Sequence, residues 1–543
     1  MLDIQYIKQH PEQLQRIADK KHIQVSIEEL LTQYQSRNQL MQHIEQLRQQ
    51  RNQLTRKIGT KLKAPDTPDT PDTPDTPDTP DTPDTPDTPD TPDTPDTPDT
   101  PDTPDTPDTP DTPDTPDTPD TPDTPDTPDT PDTPDTPDTP DTPDTPDTPD
   151  TLRLLKMEPD NVNPLRTDLP IKNKHDLNSD QLRVKVKEIN RQLQHLQQQA
   201  DSIQHHYQTL LQLVPNYVSP DTPDGQSDED NIVLRQHGTL PTFDYKVKDH
   251  VELGELHQLF DTTRGVKVSG SRNYYLTGMG VLLHRAVQQL AFDLLMAKGY
   301  TPLEVPMMVR SAALQNTGFF PLGMDQTFKI ENEDHWLTGT SEVALVSYYQ
   351  NEIIDWKSGP IKLAAASQSF RSEVGSAGKD VRGLYRVHQF AKVEQVILCE
   401  ANAELSAQIH EEITANAEEL LQLLELPYQV VAVCIGDMSQ KTYKQYDIET
   451  WMPGRQAYGE THSSSNLHDF QARRTNIRYR TAEGELKYCH TLNNTAVASP
   501  RILIPLLENH QQEDGSIYIP VALRPYLNQL QKLEAPNTIV TTD

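Results

Sequence analysis

Cysteine is scarce in this chain. Cys399, Cys434 and Cys489 are the only three among 543 residues, and no two share a CxxC spacing. That argues against a disulfide framework and against a thiolate zinc centre, and it suits a reducing compartment. Long apolar runs are also absent, since none approaches the ~20 residues needed to cross a bilayer. The opening stretch MLDIQYIKQHPEQL is polar, unlike a signal peptide. The expectation is a cytoplasmic protein with no membrane partner.

What the chain has in excess is one triplet. Pro-Asp-Thr repeats without fault from Pro65 to Thr151, which is 29 copies in 87 residues. The net charge is −35, and removing the 29 repeat aspartates leaves −6, so the rest is only mildly acidic. The low pI therefore does not exclude a nucleic-acid partner, because a local patch matters more than the total. Proline at every third position removes backbone donors and fixes φ, so an extended, disordered polyproline II-like segment is expected at 65–151. A spacer or ligand tract and a tolerated loop expansion are both open readings. Loop closure entropy grows slowly, so the longer loop costs only ~2–3 kcal/mol.

Two helices flank the repeat. Leu40, Ile44, Leu47, Leu54 and Ile58 recur in steps of four and three, with one gap at Arg51. From Leu182 through Val186, Ile189, Leu193, Leu196, Ala200, Ile203, Tyr207 and Leu210 to Val214 the same alternation runs unbroken, and Pro215 ends it. Two helices with one apolar stripe each are expected to pair as an antiparallel coiled-coil hairpin, the second seam roughly 48 Å long at 1.5 Å per residue. Acidic residues are missing from Gln46 to Ala64, while Arg48, Arg51, Arg56, Lys57, Lys61 and Lys63 are present. The returning helix adds Arg183, Lys185, Lys187 and Arg191. These read either as a solvated coiled-coil face or as a phosphate-contact surface.

From about Asn231 the pattern becomes globular. Residues 276–310 read as an amphipathic helix followed by a strand broken at Pro306, suggesting an edge or an interface. Residues 362–398 read as two strands joined by a loop containing Gly375, Gly378 and Gly383. Alternation puts Arg386, His388, Phe390, Lys392 and Glu394 on one face of the second strand, and Arg371 and Glu373 on one face of the first. Such a face suits either a salt-bridged surface or a nucleotide, with a ring for the base and guanidinium groups for phosphates. Residues 490–526 read as a strand leading into an apolar helix, with Arg501 near its start.

FRSEVGSAGKDVRGLYRVHQFAKVEQ and TLNNTAVASPRILIPLLEN resemble motifs 2 and 3 of the class II aminoacyl-tRNA synthetases, specifically of the seryl-tRNA synthetase family. The segment around Pro306 is similar to motif 1, the dimer element. LTGTSE at 337–342 resembles the family's serine loop, and YGETHSSSNLHDFQARR at 458–474 its next block. The resemblance implies an α+β chain. Residues 1–216 would form a tRNA-binding arm with the repeat in its tip loop, and 217–543 a class II catalytic domain, an antiparallel sheet flanked by helices.

It further implies serine contacts from Thr340, Ser341, Glu342, Glu394 and Thr495, and ATP contacts from Arg371, Ser372, Glu373, Arg386, Phe390, Glu460, Thr461, His462, Ser463 and Arg501. Arg371, Glu373 and Arg501 would be catalytic, Glu460 and Ser463 would hold Mg2+, and Arg48, Arg51, Arg56, Lys57, Arg183 and Lys187 would bind tRNA. Two positions depart from the family pattern: Asn493-Asn494-Thr495 replaces Asn-Gly-Ser, and His462 replaces a small residue.

The implied reaction joins L-serine to tRNA(Ser), and to tRNA(Sec), with ATP, in a homodimer. A non-catalytic tRNA-binding paralogue would be expected to lose part of the set Arg371, Glu373, Phe390, Glu394 and Arg501, and all five are present. A class II enzyme for another amino acid is disfavoured by Glu342 and the hairpin. A display stalk built on the repeat is disfavoured by the polar start.

Overall fold

The computed structural model describes residues 1–62, 178–356, 359–374 and 382–535. The Pro-Asp-Thr repeat, Lys63 and the loop glycines Gly375 and Gly378 lie outside these residues, as do the side chains of Lys61 and Leu62.

Helices α1 (Ile4–Gln9) and α2 (Pro11–Lys20) precede the two long helices α3 (Ile27–Leu62) and α4 (Ser179–Leu213). Asp3 caps α1 through the Gln5 amide at 2.8 Å, and α2 starts on a proline whose missing N–H needs no partner there. All ten positions of the α4 stripe, Leu182 to Val214, are buried or half-buried, whereas the off-stripe Val184 is 68% exposed. On α3 the gap in the stripe is filled by Arg51 itself, which is half-buried. Pairings of Tyr34 with Tyr207, Arg37 with Gln204 and Arg48 with Gln197 descend α4 as they ascend α3. The helices are therefore antiparallel, as expected of a hairpin. At their root Tyr207, Leu210, Leu211 and Val214 pack with Leu14, Ala18 and Leu30, and with Phe470 of the catalytic body.

That body is an eight-stranded sheet. Its strands in chain order are β1 (Ile232–His237), β2 (Thr301–Pro302), β3 (Ile361–Phe370), β4 (Gln389–Cys399), β5 (Tyr428–Ala432), β6 (Lys444–Met452), β7 (Ala457–His468) and β8 (His490–Ser499). They lie in the order β1-β5-β6-β7-β8-β4-β3-β2, and every pairing is antiparallel except the edge pair of β2 with β3. Helices α5 (Met279–Ala297) and α6 (Ala403–Leu423) cover one face. Their apolar residues, including Leu283, Val287, Leu290, Ile413, Ala417 and Leu420, recur at helical spacing and join Val393 and Ile397 of β4 in one core. The alternate β4 residues, Phe390, Lys392 and Glu394, turn to the opposite face.

The expected single strand around Pro306 divides in two. Thr301–Pro302 makes the sheet edge, while Met308–Val309 pairs separately with Trp336–Leu337. Proline cannot donate to a ladder, so the break falls where the sequence places one.

Candidate active site

β3 and β4 form the expected hairpin, but β3 ends at Phe370, so Arg371 and Glu373 stand beyond the strand. The Arg371 amide still donates to the His388 carbonyl at 3.0 Å, and Glu373 takes a positive φ of 53°. Arg386 and His388 also precede β4, which begins at Gln389. Near the hairpin Gly383 has φ +79°, and a Cβ there would come within 2.0 Å of His250 Nε2, so only glycine fits.

These elements wall a cavity of about 280 Å³. Its lining includes Arg371, Glu373, Phe390, Thr340, Glu342, Glu460, Thr461, His462, Ser463, Thr495 and Arg501. Residues expected from four separate stretches, 337–342, 362–398, 458–474 and 490–526, are thus brought together. The Arg371 guanidinium lies 5.4 Å from the Phe390 ring centre. Desolvation within the cavity, and then the neighbouring charge of Arg501, lower the Arg371 pKa, although the residue keeps exposed surface and Glu460, Glu373 and Glu394 oppose this. Arg501 sits two residues ahead of helix α7 (Leu503–His510). It donates to the carbonyls of Tyr385 and Glu460, both at 3.1 Å. Arg371 and Arg501 face one cavity, and two guanidinium groups on a shared wall suit a phosphate.

Four expected residues are not in the wall. Ser372 donates to the Asp325 carbonyl at 2.6 Å, and Arg386 reaches Glu373 at 3.5 Å. Ser341 Oγ is buried without a hydrogen-bond partner among the described residues. Glu394 is fully buried one layer back, where it accepts from Lys392 Nζ at 2.6 Å, Asn493 Nδ2 at 3.0 Å and Thr495 Oγ1 at 3.3 Å. Lys392, Asn493 and Thr495 are themselves wall residues. Glu342 is likewise buried and paired, with Lys441 Nζ at 2.5 Å and Gln471 Nε2 at 2.7 Å. Each buried carboxylate thus has a buried lysine, which offsets the desolvation that an unpaired charge would suffer.

Strand register shapes the acidic side. β7 opposes β6 with one extra residue, Thr461, between the pairs Glu449–Glu460 and Ile448–His462. A second bulge at Ala496 lies between Thr495–Glu394 and Val497–Val393 on β8. Burial, and then the charge of Glu460, hold the Asp447 carboxyl well above its usual range. Asp437 and Glu449 are also raised, chiefly by burial, with Glu460 contributing to both. Among the described residues no three acidic, histidine or cysteine groups make a complete metal cage. Glu460 and Asp437, carboxylates in the cavity wall, fit Mg2+, which takes one or two protein oxygens and completes its shell with substrate and water. His462 is pulled down to about 3 by burial, and its Nδ1 lies 2.8 Å from Thr461 Oγ1.

Several wall residues went unforeseen. Lys392 was legible on the β4 face but not as a site residue. Asp437, Ser439, Lys441 and Gln445 come from a stretch without a motif. On the arm, Arg48 donates to Gln197 at 3.2 Å, Arg56 and Lys57 are exposed, and Arg183 meets Asp180 at 3.4 Å. Lys187 is exposed, whereas Arg51 belongs to the seam.

Residues 327–510 match the family described as tRNA synthetase class II core domain (G, H, P, S and T), and residues 1–72 match the seryl-tRNA synthetase N-terminal domain. The chain is 47% identical over 352 residues to the serine--tRNA ligase of Deinococcus radiodurans, covering 65% of this chain and 83% of that one. To the serine--tRNA ligase of Dictyoglomus turgidum it is 40% identical, covering 69% and 88%. Among solved structures, a seryl-tRNA synthetase from Pyrococcus horikoshii complexed with ATP superposes with a TM-score of 0.72 at 29% identity, covering 99% of this chain and 100% of that one. The antiparallel sheet, the paired long helices and the likeness to these relatives together establish that the chain belongs to the seryl-tRNA synthetase family.

Proposed function

We propose that this chain is a serine–tRNA ligase, activating L-serine with ATP and passing the seryl group to tRNA(Ser), with tRNA(Sec) as a second acceptor. The observation that carries this reading is the convergence of Arg371, Phe390 and Arg501 on one cavity, with the buried pairs Glu342–Lys441 and Glu394–Lys392 alongside.

In the first step a serine carboxylate oxygen attacks the α-phosphorus, the bond to the bridging oxygen breaks, and pyrophosphate leaves. In the second, the terminal ribose hydroxyl of tRNA attacks the seryl carbonyl, loses its proton, and AMP leaves. Neither step needs a protein nucleophile. Arg371 would align the α-phosphate and stabilise the charge that builds on it, while Phe390 stacks the adenine and Glu373 accepts from its amino group. Arg501 and Arg386 would hold the outer phosphates, with Ser372 and Thr461–Ser463 shaping the slot. Thr340, Glu342 and Thr495 would contact serine, and Ser341 and Glu394 would fix the groups that do. Glu460 and Ser463 would hold Mg2+, which when bound neutralises phosphate charge.

We further propose that residues 1–216 are a tRNA-binding arm interrupted by 65–151, and that 217–543 form the catalytic domain of a cytoplasmic homodimer. Among the described residues no helix is long and apolar enough to cross a membrane. Serine-dependent ATP–pyrophosphate exchange by the purified chain tests the activity. Exchange with serine and not with alanine or threonine is the expected result, and no exchange with serine would overturn the reading.

A further inference from the structure

Ser439, Gln440, Lys441, Thr442 and Tyr443 are consecutive, and the carbonyl of each accepts a hydrogen bond from the root of the helical arm. Lys21, between α2 and α3, donates its Nζ to Ser439 at 2.9 Å and to Thr442 at 3.1 Å. Asn216, just after α4, donates its amide to Gln440 at 2.9 Å and its Nδ2 to Lys441 at 3.0 Å. The Ser219 amide closes the series on Tyr443 at 2.9 Å. The middle residue of this clamped run is Lys441, which pairs with Glu342 and lies 3.7 Å from the Phe319 ring centre inside the cavity.

We propose that Lys21 and Asn216 are positioning residues of the amino-acid pocket, holding residues 439–443 so that Lys441 meets Glu342. This rests on the serine reading of that pocket. An irregular segment has no ladder of its own, so its carbonyls must find donors or be left unsatisfied. A lysine suits this place because several donors radiate from one atom and reach carbonyls three residues apart. Lys21 is buried, its pKa is lowered to about 7 by that burial, and among the described residues no carboxylate pairs with it. An amine kept there without a counter-charge acts through its hydrogen bonds. The arm's root thereby reaches the pocket from a helix pair that does not line it.

The test is Lys21→Met, with Asn216→Ala as a second variant, read by serine and ATP kinetics and by hydrogen exchange of residues 436–447. The serine KM should rise about tenfold while the ATP KM and kcat stay within about twofold, because the loss is confined to the amino-acid side. Exchange should quicken in 436–447 and not in β4. In a Lys441→Met background Lys21→Met should shift the serine KM by less than about twofold, since coupled residues are not additive. Equal drift of both KM values, or a full serine effect without Lys441, would overturn the proposal. Unchanged hydrogen exchange in Lys21→Met and Asn216→Ala would overturn it as well. If the wild-type chain lacks serine-dependent exchange, the serine reading fails, and hydrogen exchange alone decides whether the clamp exists.

Discussion

Glu460 and Ser463 stand three residues apart on one strand, yet both line the same cavity. Strict alternation would send them to opposite faces. The extra residue at Thr461 restores the parity, so that Ser463 and Ser465 follow Glu460 onto the pocket side. The same device on β8, at Ala496, lets Thr495 and Ala498 share a wall.

Removing the Glu460 carboxylate should therefore separate activity from stability. Its charge helps to raise the carboxyl pKa values of Asp447, Asp437 and Glu449. Glu460→Ala should raise the Mg2+ concentration for half-maximal exchange several-fold and change stability little, because relieved repulsion with Asp447 is offset by lost attraction to Arg371 and Arg501. Mg2+ titration and thermal melts decide it. A loss of both activity and stability would mean that Glu460 is a structural residue.

Arg371→Ala should lower serine-dependent exchange by about two to three orders of magnitude, as expected when a donor acting on developing charge is removed. Its Tm should change little, because the backbone bond from its amide to His388 remains. Near-normal exchange in this variant would remove the phosphate assignment.

Acid should destabilise the fold through buried histidines. His410, stacked on Tyr446 with ring centres 4.5 Å apart, is held down to about 4 by burial. His490 is likewise held down to about 4, and it stacks on His468. Between pH 4 and 6.5 the unfolded chain then binds protons that the folded chain refuses. Each such group makes stability rise with pH by up to ~1.4 kcal/mol per unit in that window. Denaturant melts of His410→Gln between pH 4.5 and 7.5 should show a shallower dependence than the parent. An identical slope would mean that His410 accepts its proton in the fold.

The arm and the cavity should fail separately. Reversing Arg48, Arg56 and Lys57 to Glu should leave exchange intact and reduce tRNA charging at least about tenfold, with a weaker salt dependence of what binding remains. Arg51 is excluded, because it is half-buried in the seam and its reversal would also weaken the helix pair. Replacing Pro65–Thr151 by a short Gly/Ser turn should leave both activities unchanged. Comparable losses of exchange and charging in the reversed variant would make the arm a folding element.

The periodicity of residues 182–214 by itself determined the long helix and its apolar stripe, because a coiled-coil seam is a local property of spacing. Phe390, Lys392 and Glu394 were legible as one face of a strand for the same reason. Tertiary structure decided where those side chains end. Glu394 alternates correctly, yet it is sealed behind Lys392, Asn493 and Thr495, and spacing carries no information on depth. It decided that Arg371 and Glu373 act from beyond a strand end, since the strand stops where its pairing with β4 stops. Lys441 belongs to no pattern at all. It meets Glu342 from a run whose carbonyls, its own included, are held by Lys21 and Asn216, one from each end of the arm's sequence. Bulges and long-range clamps depend on which strands and segments become neighbours, and only the folded chain makes that choice.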